Sequence, residues 1–280
     1  MPEGDAIYRA AIRLRGDLDE TVLQELFVRH RGQIESARDA RVLSIETRGK
    51  HTLIHIERRE GAPPMAVHIH LGMNGSWRRH RRGAPRRGGR DQAAAILATE
   101  DCEWRCNHPM RAEVLEGEAI GNHRSMRNLG PDLLGETVDW ERVLARATQA
   151  VHQRRPIADL LLDQSVACGI GTIYRSESLF VSRQNPWAPV VGIADGQLQT
   201  IYKEARRLLS MNLVPGRRTR TTSPDDRRPA FRELDADTYV YVRGGEPCLA
   251  CGRIVEVRRH SDWARKTYFC RHCQIEGPRA

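Results

Sequence analysis

The stretch of sequence that constrains the fold most strongly lies near the middle of the chain. It is Leu162-Asp163-Gln164-Ser165-Val166-Ala167-Cys168-Gly169-Ile170-Gly171-Thr172-Ile173-Tyr174-Arg175-Ser176-Glu177. Residues 156–166 have helical spacing, with Pro156 at a first-turn position that tolerates proline. Gly169 and Gly171 interrupt this pattern, and a second helix is predicted over residues 172–182. The sequence therefore predicts two helices joined by a glycine-containing turn.

The regions on either side of this stretch differ in their hydrophobic periodicity. An amphipathic helix is predicted first, over residues 5–14. Alternating apolar and polar residues then predict strands at 42–47, 52–56, 67–71, 94–98 and 111–115. The pattern changes around residues 129–132, and helices are predicted over 138–150 and 196–212. This order predicts an α+β protein with a strand-rich first part and a helical second part.

Composition and charge narrow the class of protein. The 280 residues include 45 Lys and Arg against 36 Asp and Glu, a formal net charge of +9. Such an excess is typical of nucleic-acid-binding proteins, although many other soluble proteins share it. No apolar run approaches the roughly 18 residues of a membrane span. The first residues lack a secretory signal pattern, and seven cysteines do not suggest a disulfide scaffold. We therefore expect a cytoplasmic protein without a membrane partner.

Arginine supplies nearly all of the positive charge. Only Lys50, Lys203 and Lys266 are lysines, so 42 of the 45 cationic residues are arginine. A lysine amine can lose its proton in a suitable environment, whereas a guanidinium effectively cannot. The retained lysines, and Lys50 in particular, are therefore candidate functional residues. The arginine-rich residues 78–90 and 215–232 also contain glycine or proline, and both are predicted to be solvated loops.

Four cysteines near the C-terminus form two closely spaced pairs. Cys248 and Cys251 form one Cys-x2-Cys pair, Cys270 and Cys273 form the other, and 18 residues lie between the pairs. Four thiolates in this pattern favour a closed, tetrahedral structural zinc site on a hairpin. The alternative is two redox-active or incidental thiol pairs.

A second cysteine pair gives a weaker signal. Cys102 and Cys106 are four residues apart, and His108 follows them closely. No further residues complete a ligand set at this point of the sequence. A second metal site here is therefore only a minor alternative.

Five motifs occur together in an order that is typical of one enzyme family. They are Pro2-Glu3-Gly4-Asp5, His70-Leu71-Gly72-Met73-Asn74-Gly75-Ser76, Leu129-Gly130-Pro131-Asp132, the central stretch 162–177, and the four cysteines, which close with Tyr268-Phe269-Cys270-Arg271-His272-Cys273-Gln274. Together they resemble the formamidopyrimidine-DNA glycosylase / endonuclease VIII family of base-excision repair enzymes. The resemblance covers nearly the whole chain, and the combination is more specific than any single motif.

The resemblance implies an architecture, a cofactor and a partner. It predicts an N-terminal β-sandwich with a flanking helix, a helix–two-turn–helix domain and a zinc β-hairpin finger. The expected limits are 1–132 for the catalytic β-sandwich domain, 133–236 for the helical DNA-binding domain and 237–280 for the finger. It also implies one structural zinc per chain, a monomer, and damaged double-stranded DNA bound between the domains.

The resemblance assigns the first catalytic step to the start of the chain. Pro2 becomes the N-terminal residue once Met1 is removed, and a free α-amine has a pKa of about 8, so much of it is unprotonated at neutral pH. Such an amine can attack the sugar C1′, displace the base and form a Schiff base. Glu3 resembles the family's proton donor for opening the sugar ring, a role that suits a carboxyl group with a raised pKa.

The resemblance also implies residues for the elimination steps. Lys50 falls at the family's lysine that assists elimination and contacts phosphate. Arg265 matches the finger arginine that is linked to the second elimination, with Lys266 as the neighbouring alternative. Glu177 is open between a functional carboxylate and a structural one paired with an arginine.

Other residues match the family's DNA contacts. Met73 resembles the side chain that fills the gap left by the rotated nucleotide, and the alternative is a place in the core. Gly171 and Thr172 correspond to a phosphate-binding turn at a helix start, where the family normally has Asn instead of Thr172. Arg127 and Asn128 fall where some members carry a DNA-contacting arginine, and either could serve.

The sequence therefore predicts a bifunctional DNA glycosylase and abasic-site lyase that cleaves the strand by β,δ-elimination. The motif at residues 2–5 resembles the endonuclease VIII branch, which favours oxidised pyrimidines. The motif at residues 70–73 resembles the branch that removes 8-oxoguanine and formamidopyrimidines. Oxidised pyrimidines are preferred here because residues 215–232 do not look like a base-capping loop. Rival hypotheses are a catalytically silent zinc-finger protein that binds DNA lesions and an RNA-binding zinc-ribbon protein.

Overall fold

The computed structural model describes residues 2–58, 61–82, 92–214, 219–222, 237–259 and 265–275. Contacts divide the chain into two compact units, Met1–Asn128 and Leu129–Ala280. Each unit has its own hydrophobic core. The limits of the three domains given above remain a prediction. No helix in the described part of the chain has the length and apolar composition needed to cross a membrane.

Unit 1, Met1–Asn128, is built mainly from strands. Its strands are β1 (Glu25–Val28), β2 (Gly32–Gln33), β3 (Arg41–Arg48), β4 (His51–Glu57), β5 (Met65–His70), β6 (Ser76–Arg81), β7 (Ala93–Ala98), β8 (Cys102–Asn107) and β9 (Arg111–Glu116). Its α-helices are α1 (Gly4–Leu18), α2 (Ala119–Asn122) and α3 (Arg124–Arg127). The five predicted strands and the predicted first helix all appear, with ends shifted by a few residues.

The strands of unit 1 form two antiparallel sheets around one core. One sheet has the order β3-β4-β5-β9 and the other β2-β1-β7-β8-β6. Both sheets contribute buried side chains, such as Ile54 from the first and Leu97 from the second, and Leu14 of α1 joins the same cluster. Burial of each such side chain stabilises the fold by about 1.5–3 kcal/mol. The predicted β-sandwich with a flanking helix is confirmed.

Part of the predicted arginine-rich loop is a strand instead. Residues 78–81 belong to β6, where Arg79 lies opposite Trp104 of β8. The strand is held because Trp77 is buried and because Arg79 forms an ion pair with Asp17 at 2.7 Å. Cross-strand pairing and burial here outweigh the loop signal of the charge run. The rest of the predicted loop, from residue 83 onward, lies outside the described residues.

Unit 2, Leu129–Ala280, is mainly helical. Its α-helices are α4 (Trp140–Ala147), α5 (Ile157–Leu160), α6 (Thr172–Val181) and α7 (Asp195–Ser210), and its strands are β10 (Glu256–Arg259) and β11 (Lys266–Phe269). Helices α4 and α5 are shorter than predicted. Asp139 caps the start of α4 by accepting a hydrogen bond from the backbone amide of Arg142. Helix α5 covers only the first part of the predicted 156–166.

The connection from α5 to α6 is held together by one glutamine. The Gln164 amide donates to the carbonyls of Leu162 and Ile170, and its oxygen accepts from the Gly169 amide at 3.1 Å. Gly169 has φ +111°, which a residue with a Cβ rarely adopts. The helix, the stapled turns and α6 form the predicted helix–two-turn–helix region. The α+β fold class is therefore confirmed.

Strands β10 and β11 form an antiparallel hairpin in the region of the C-terminal cysteines. Val257 lies opposite Tyr268 in its register. Next to the hairpin, Phe180 of α6 packs with Tyr239 and Val255 in a small separate core. The predicted hairpin is confirmed. Most of the predicted loop over residues 215–232 lies outside the described residues.

Candidate active site

The start of the chain lies at the N-terminus of α1. Pro2 is half-buried, and the Glu3 residue is only 1% exposed. Glu3 directly precedes the first helical residue, and its carbonyl accepts a hydrogen bond from the Ile7 amide at 3.1 Å. A carboxylate at a helix N-terminus is favoured by the helix dipole. The helix therefore fixes Glu3 next to the Pro2 nitrogen along the chain.

Helix α1 runs antiparallel to β3. The Glu20 amide donates to the Val42 carbonyl at 2.8 Å, and the Arg15 guanidinium donates to the Ile45 carbonyl at 2.7 and 2.8 Å. From Arg15 back to Glu3 the helix rises by about 18 Å. From Ile45 forward to Arg48, where β3 ends, the strand advances by about 10 Å in the same direction, and the turn residue Lys50 follows. Glu3 and Lys50 therefore both lie toward the same end of unit 1.

Lys50 occupies a two-residue hairpin turn. Arg48 and His51 are paired directly across β3 and β4, so Gly49 and Lys50 form the connection. Gly49 has φ +58°, the left-handed conformation that such a turn needs. The Lys50 side chain is half-buried and close enough to His70 for its charge to help lower the pKa of that imidazole.

Met73 lies at this same end. His51 and His70 are opposite each other, so the start of β4 and the end of β5 share one edge of the sheet. Met73 follows in the turn after β5 and is 74% exposed, which excludes the alternative of a core position. The structure thus brings Pro2, Glu3, Lys50 and Met73 to one end of unit 1. Arg127 and Asn128 are both exposed at the end of α3.

Next to Lys50 in the fold lies a group of side chains that the sequence analysis did not predict. We call it the histidine–glutamate cluster, and its members are His51, His68, Glu113 and His123. His51 Nδ1 is 2.9 Å from His68 Nε2, and His68 Nδ1 is 2.7 Å from Glu113 Oε1. The same Glu113 oxygen is 3.0 Å from His123 Nε2. The His51 ring also stacks on His70, with ring centroids 4.6 Å apart.

The pKa values of three imidazoles in this region, those of His51, His68 and His70, are lowered from the usual value. Burial, with smaller effects from the neighbouring imidazoles, lowers the pKa of His51 to about 3. Burial, His68 and Lys50 lower the pKa of His70 to about 4. Burial also lowers the pKa of His68, against the opposing effect of Glu113. Burial alone would raise the pKa of Glu113, but the hydrogen bond from His68 and the charge of His123 hold it below its usual value.

The sequence contained one unused signal for this cluster. His68 and His70 are two residues apart in a predicted strand, so both side chains lie on one face of the sheet. Glu113 lies directly opposite His68 in β9. His123 comes from the connection between α2 and α3, where no periodic pattern predicts its position. Pairing of strands that are distant in sequence assembles the cluster.

The predicted DNA-contact residues of unit 2 lie at the start of α6. Gly171 is the N-cap residue with an extended backbone, and Thr172, which is half-buried, is the first helical residue. One turn later, Arg175 Nη2 donates to the Lys266 carbonyl at 2.7 Å. Arg265 directly precedes Lys266 and is half-buried. The structure therefore brings Thr172 and Arg265 to one region of unit 2.

Glu177 serves the structure of unit 2. Its carboxylate accepts hydrogen bonds from the amides of Tyr239, Val240 and Tyr241 at 2.8–2.9 Å, and from the Thr221 hydroxyl. Burial raises its pKa, and these hydrogen bonds oppose the rise. Of the two alternatives, the structural carboxylate is correct, with backbone amides and a hydroxyl among its partners. It ties α6 to the segment that leads into the cysteine hairpin.

Four thiols converge at the hairpin, and we call them the cysteine cluster: Cys248, Cys251, Cys270 and Cys273. The Sγ atoms of Cys248 and Cys273 are 3.9 Å apart, and those of Cys251 and Cys270 are 3.5 Å apart. All four sulfurs lie within 4.8 Å of one another. Such a group can hold a metal ion.

The other cysteine pair does not form such a group. Cys102 and Cys106 are buried in β8, within the sandwich core. Burial raises the pKa of the Cys106 thiol well above its usual value. No group of metal-capable side chains among the described residues contains either thiol. The minor alternative of a metal site at this pair therefore has no support.

Comparisons with known proteins agree with this arrangement. The model of the formamidopyrimidine-DNA glycosylase N-terminal domain matches residues 1–112, and that of the formamidopyrimidine-DNA glycosylase H2TH domain matches residues 129–223. The DNA-(apurinic or apyrimidinic site) lyase Nei2 of Mycolicibacterium smegmatis is 35% identical over 98% of this chain and 99% of its own length. The probable endonuclease 8 2 of Streptomyces coelicolor is 34% identical over 99% of this chain and 95% of its own.

A solved structure shows the same fold. The crystal structure of MutM (Fpg) from Thermus thermophilus aligns with a TM-score of 0.74 and 28% identity, covering 99% of this chain and all of that one. Matches to both domain models, together with relatives above 30% identity over nearly the whole chain, leave one assignment. The chain belongs to the formamidopyrimidine-DNA glycosylase / endonuclease VIII family, and its relatives include proteins of the endonuclease VIII type.

Proposed function

We propose that this protein is a bifunctional DNA glycosylase and abasic-site lyase that excises oxidised bases from damaged double-stranded DNA. The observation that supports it most is the arrangement at one end of unit 1, where Pro2 and a buried Glu3 lie at the same end as Lys50 and Met73. The names of the relatives, a DNA abasic-site lyase and an endonuclease 8, agree with both activities.

Base removal begins at Pro2. Once Met1 is removed, the unprotonated Pro2 amine attacks the sugar C1′, and the C1′–N bond to the damaged base breaks, with the electron pair leaving on the base. The proton that the Pro2 nitrogen then loses goes to the departing base. Glu3 donates a proton to the ring oxygen as the sugar opens, which leaves an iminium between Pro2 and C1′. Glu3 is buried at the start of α1 and adjoins Pro2 in the sequence, which supports its assignment as the proton donor.

Strand cleavage follows from the iminium. Its positive charge acidifies the hydrogens on C2′, so a proton is lost there and the C3′–O bond breaks, releasing one phosphate end. In a second elimination a proton is lost from C4′ and the C5′–O bond breaks, releasing the other phosphate end, and water then hydrolyses the Schiff base to free Pro2. We assign assistance and phosphate contact in the first elimination to Lys50, and a role in the second to Arg265.

The remaining residues of the proposed site hold the DNA. Met73 is exposed on a turn, as expected of an apolar side chain that fills the space of a rotated nucleotide. Gly171 and Thr172 offer a helix N-terminus to a phosphate, with the Thr hydroxyl replacing the family's usual Asn. Arg127 and Asn128 are both exposed, and either can reach a phosphate from the end of α3.

We assign one structural zinc ion to the cysteine cluster. Four sulfurs at about 2.3 Å from a tetrahedral zinc are about 3.8 Å from one another. The observed separations of 3.5 and 3.9 Å fit this geometry. Four thiolates close the coordination shell, so the ion stabilises the hairpin that carries Arg265 and takes no part in the chemistry.

Borohydride trapping on duplex DNA with an abasic site tests the function. The wild-type protein, with Met1 removal checked by mass spectrometry, should form a covalent adduct, and Pro2→Gly should lower its yield by about tenfold or more. Pro64→Gly, an exposed proline in unit 1, is the matched control and should trap normally. A protein that binds abasic DNA without any adduct would be the silent lesion binder. One that prefers RNA to abasic duplex would be the zinc-ribbon rival.

Oxidised pyrimidines are the proposed preference among lesions. Excision of 5-hydroxyuracil and of 8-oxoguanine from matched duplexes, measured side by side, tests this choice. Faster excision of 8-oxoguanine paired with cytosine would overturn the preference and leave the family assignment intact. The protein is proposed to act as a monomer, which sedimentation of the free and DNA-bound protein would check.

A further inference from the structure

The histidine–glutamate cluster has the donor types of a metal site, but its distances are those of hydrogen bonds. Two nitrogen or oxygen ligands at 2.0–2.1 Å from a tetrahedral zinc lie about 3.3–3.4 Å apart. Glu113 Oε1 is 2.7 Å from His68 Nδ1 and 3.0 Å from His123 Nε2. Both separations are too short for this coordination and lie within the usual range for N–H···O bonds.

Only one assignment of donors and acceptors is consistent with the hydrogen bonds that join Glu113, His68 and His51. An ionised carboxylate accepts hydrogen bonds and cannot donate, so the proton between Glu113 and His68 belongs to His68 Nδ1. His68 is neutral, so its Nε2 carries no proton and must accept from His51 Nδ1 at 2.9 Å. His51 is also neutral, and its Nε2 is therefore left without a proton. One carboxylate thus sets the tautomers of two imidazoles.

The contact with His123 is consistent with this order. His123 Nε2 donates to the same Glu113 oxygen at 3.0 Å. Its Nδ1 is buried and has no hydrogen-bond partner among the described residues. Glu113 therefore anchors His123 as well, from the connection between α2 and α3.

The series of hydrogen bonds from Glu113 through His68 ends at His51, next to the proposed catalytic Lys50. His51 directly follows Lys50 in the chain, and its ring stacks on His70 with an interplanar angle of 22°. His70 in turn is close enough to Lys50 to respond to its charge. The orientation of the His51 ring therefore sets the stacking partner of His70, the imidazole whose pKa responds to the Lys50 charge.

We propose that Glu113 is a positioning residue for strand cleavage: through His68 it orders the tautomer and orientation of His51, and so fixes the stacked His51–His70 pair beside Lys50. Glu113 itself touches neither the substrate nor the reacting atoms. This inference rests on the proposed lyase function. Residues that orient a functional side chain through a hydrogen bond, without touching the substrate themselves, typically contribute about 10- to 100-fold to activity.

The first test compares two isosteric variants on one strand. Glu113→Gln keeps the side chain's shape but allows the amide to donate to His68 Nδ1 and reverse the order of hydrogen bonds. Glu116→Gln, also in β9 and 39% exposed in an ion pair with Arg58, is the matched control. In single-turnover cleavage of abasic duplex, Glu113→Gln should be slower by about 10- to 100-fold. The control should cleave at the wild-type rate.

Binding and chemistry are separated in the same variants. The Kd for a duplex with a non-cleavable tetrahydrofuran abasic analogue should change by less than about threefold in Glu113→Gln, because no DNA contact is removed. Equal losses in binding and in rate would indicate general disruption of unit 1 and would overturn the proposal. An unchanged cleavage rate, with wild-type trapping intact, would also overturn it without affecting the proposed function.

A spectroscopic test uses the wild-type protein and does not depend on how any variant folds. Long-range 1H–15N NMR of the 15N-labelled histidines should show His51 and His68 as neutral rings protonated at Nδ1. Protonation of both rings at Nε2 would contradict the order set by Glu113. Titration with Zn²⁺ alone provides the alternative outcome: a second equivalent bound per chain, lost in Glu113→Gln, would mean that the cluster is a metal site.

Discussion

The cysteine cluster of unit 2 and the histidine–glutamate cluster of unit 1 both contain metal-capable side chains, but the distances between their donor atoms differ. The four sulfurs of the first, and the donor atoms of His68, Glu113 and His123 in the second, lie within 4.8 Å of one another in each group. The sulfurs are 3.5 and 3.9 Å apart in two of the pairs, as around a zinc ion. The Glu113 oxygen is 2.7 and 3.0 Å from its two imidazole partners, as in hydrogen bonds. Donor type and proximity are therefore shared by the two clusters, whereas donor separation distinguishes them.

The largest expected effect comes from breaking the cysteine cluster. Cys248→Ser should abolish stoichiometric zinc binding, because a closed four-thiolate shell loses a ligand. It should lower the stability of unit 2 by several kcal/mol, since metal binding supplies folding free energy to such small modules. Metal analysis and denaturant unfolding measure the two effects. Retention of about one zinc per chain with unchanged stability would mean that these thiols are not its ligands.

The histidine–glutamate cluster should instead respond to acid. His51 and His70 have pKa values of about 3 and about 4 in the fold against the usual 6.5. Between the lowered pKa values and 6.5, these two histidines bind protons in the unfolded chain but not in the folded chain. Their contribution to the free energy of unfolding is therefore complete above pH 6.5 and falls as the pH drops toward 4. Each histidine contributes at most about 1.4 kcal/mol per pH unit, and less for the more exposed His70.

Urea unfolding at about pH 7 and about pH 5 measures this slope. His51→Phe should reduce it, because the variant keeps an aromatic ring and removes one of the titrating groups. Acid also protonates zinc ligands, but that contribution is common to the wild type and the variant. Identical slopes in the two proteins would show that His51 is not buried in its neutral form.

Removal of the anchor of this cluster should have a moderate effect. Glu113→Ala leaves the buried His68 Nδ1–H without an acceptor, which costs about 1–3 kcal/mol. Zinc content should stay at the wild-type value, in contrast to the cysteine variant. Glu116→Ala, which breaks only partly exposed ion pairs, should change stability by less than about 1 kcal/mol. Thermal unfolding with parallel metal analysis distinguishes the two clusters.

The smallest effect is expected at Cys102 and Cys106, which belong to no metal-capable group among the described residues. Cys106→Ala removes one buried sulfur from the sandwich core and should cost about 1 kcal/mol through the cavity it leaves. The zinc content should not change. A lower zinc content in this variant would show that thiols outside the hairpin contribute to metal binding, and the contrast drawn between the cysteine pairs would fail.

The sequence predicted elements whose signal is local. The helix over residues 172–182 was found as Thr172–Val181 because its start follows the interruption at Gly171, which is the N-cap residue. Strand β6 was missed because its run of arginines looks solvated, whereas its pairing with β8, the burial of Trp77 and the Arg79–Asp17 ion pair hold it in the sheet. Helix α5 was predicted too long, because turns stapled by Gln164 replace its continuation.

The residues of the candidate site also divide into those with a local sequence signal and those brought together by tertiary contacts. Pro2, Glu3, Lys50 and the cysteine cluster could be predicted because each sits in a short motif with its own chemistry. Two short spacings and a hairpin are enough to bring four thiols together. The amino-acid sequence by itself therefore determined the family, the metal-capable thiols and the candidate catalytic residues.

Only the tertiary structure decided the environment of Lys50. His51, His68, Glu113 and His123 are spread over more than half of unit 1, and the register of β4, β5 and β9 aligns the first three. A shift of one residue in that register would turn Glu113 to the opposite face of the sheet. Hydrogen-bond order and burial, which set the tautomers and the lowered pKa values of these histidines, arise only once the strands have paired, because each depends on neighbours that are remote in sequence.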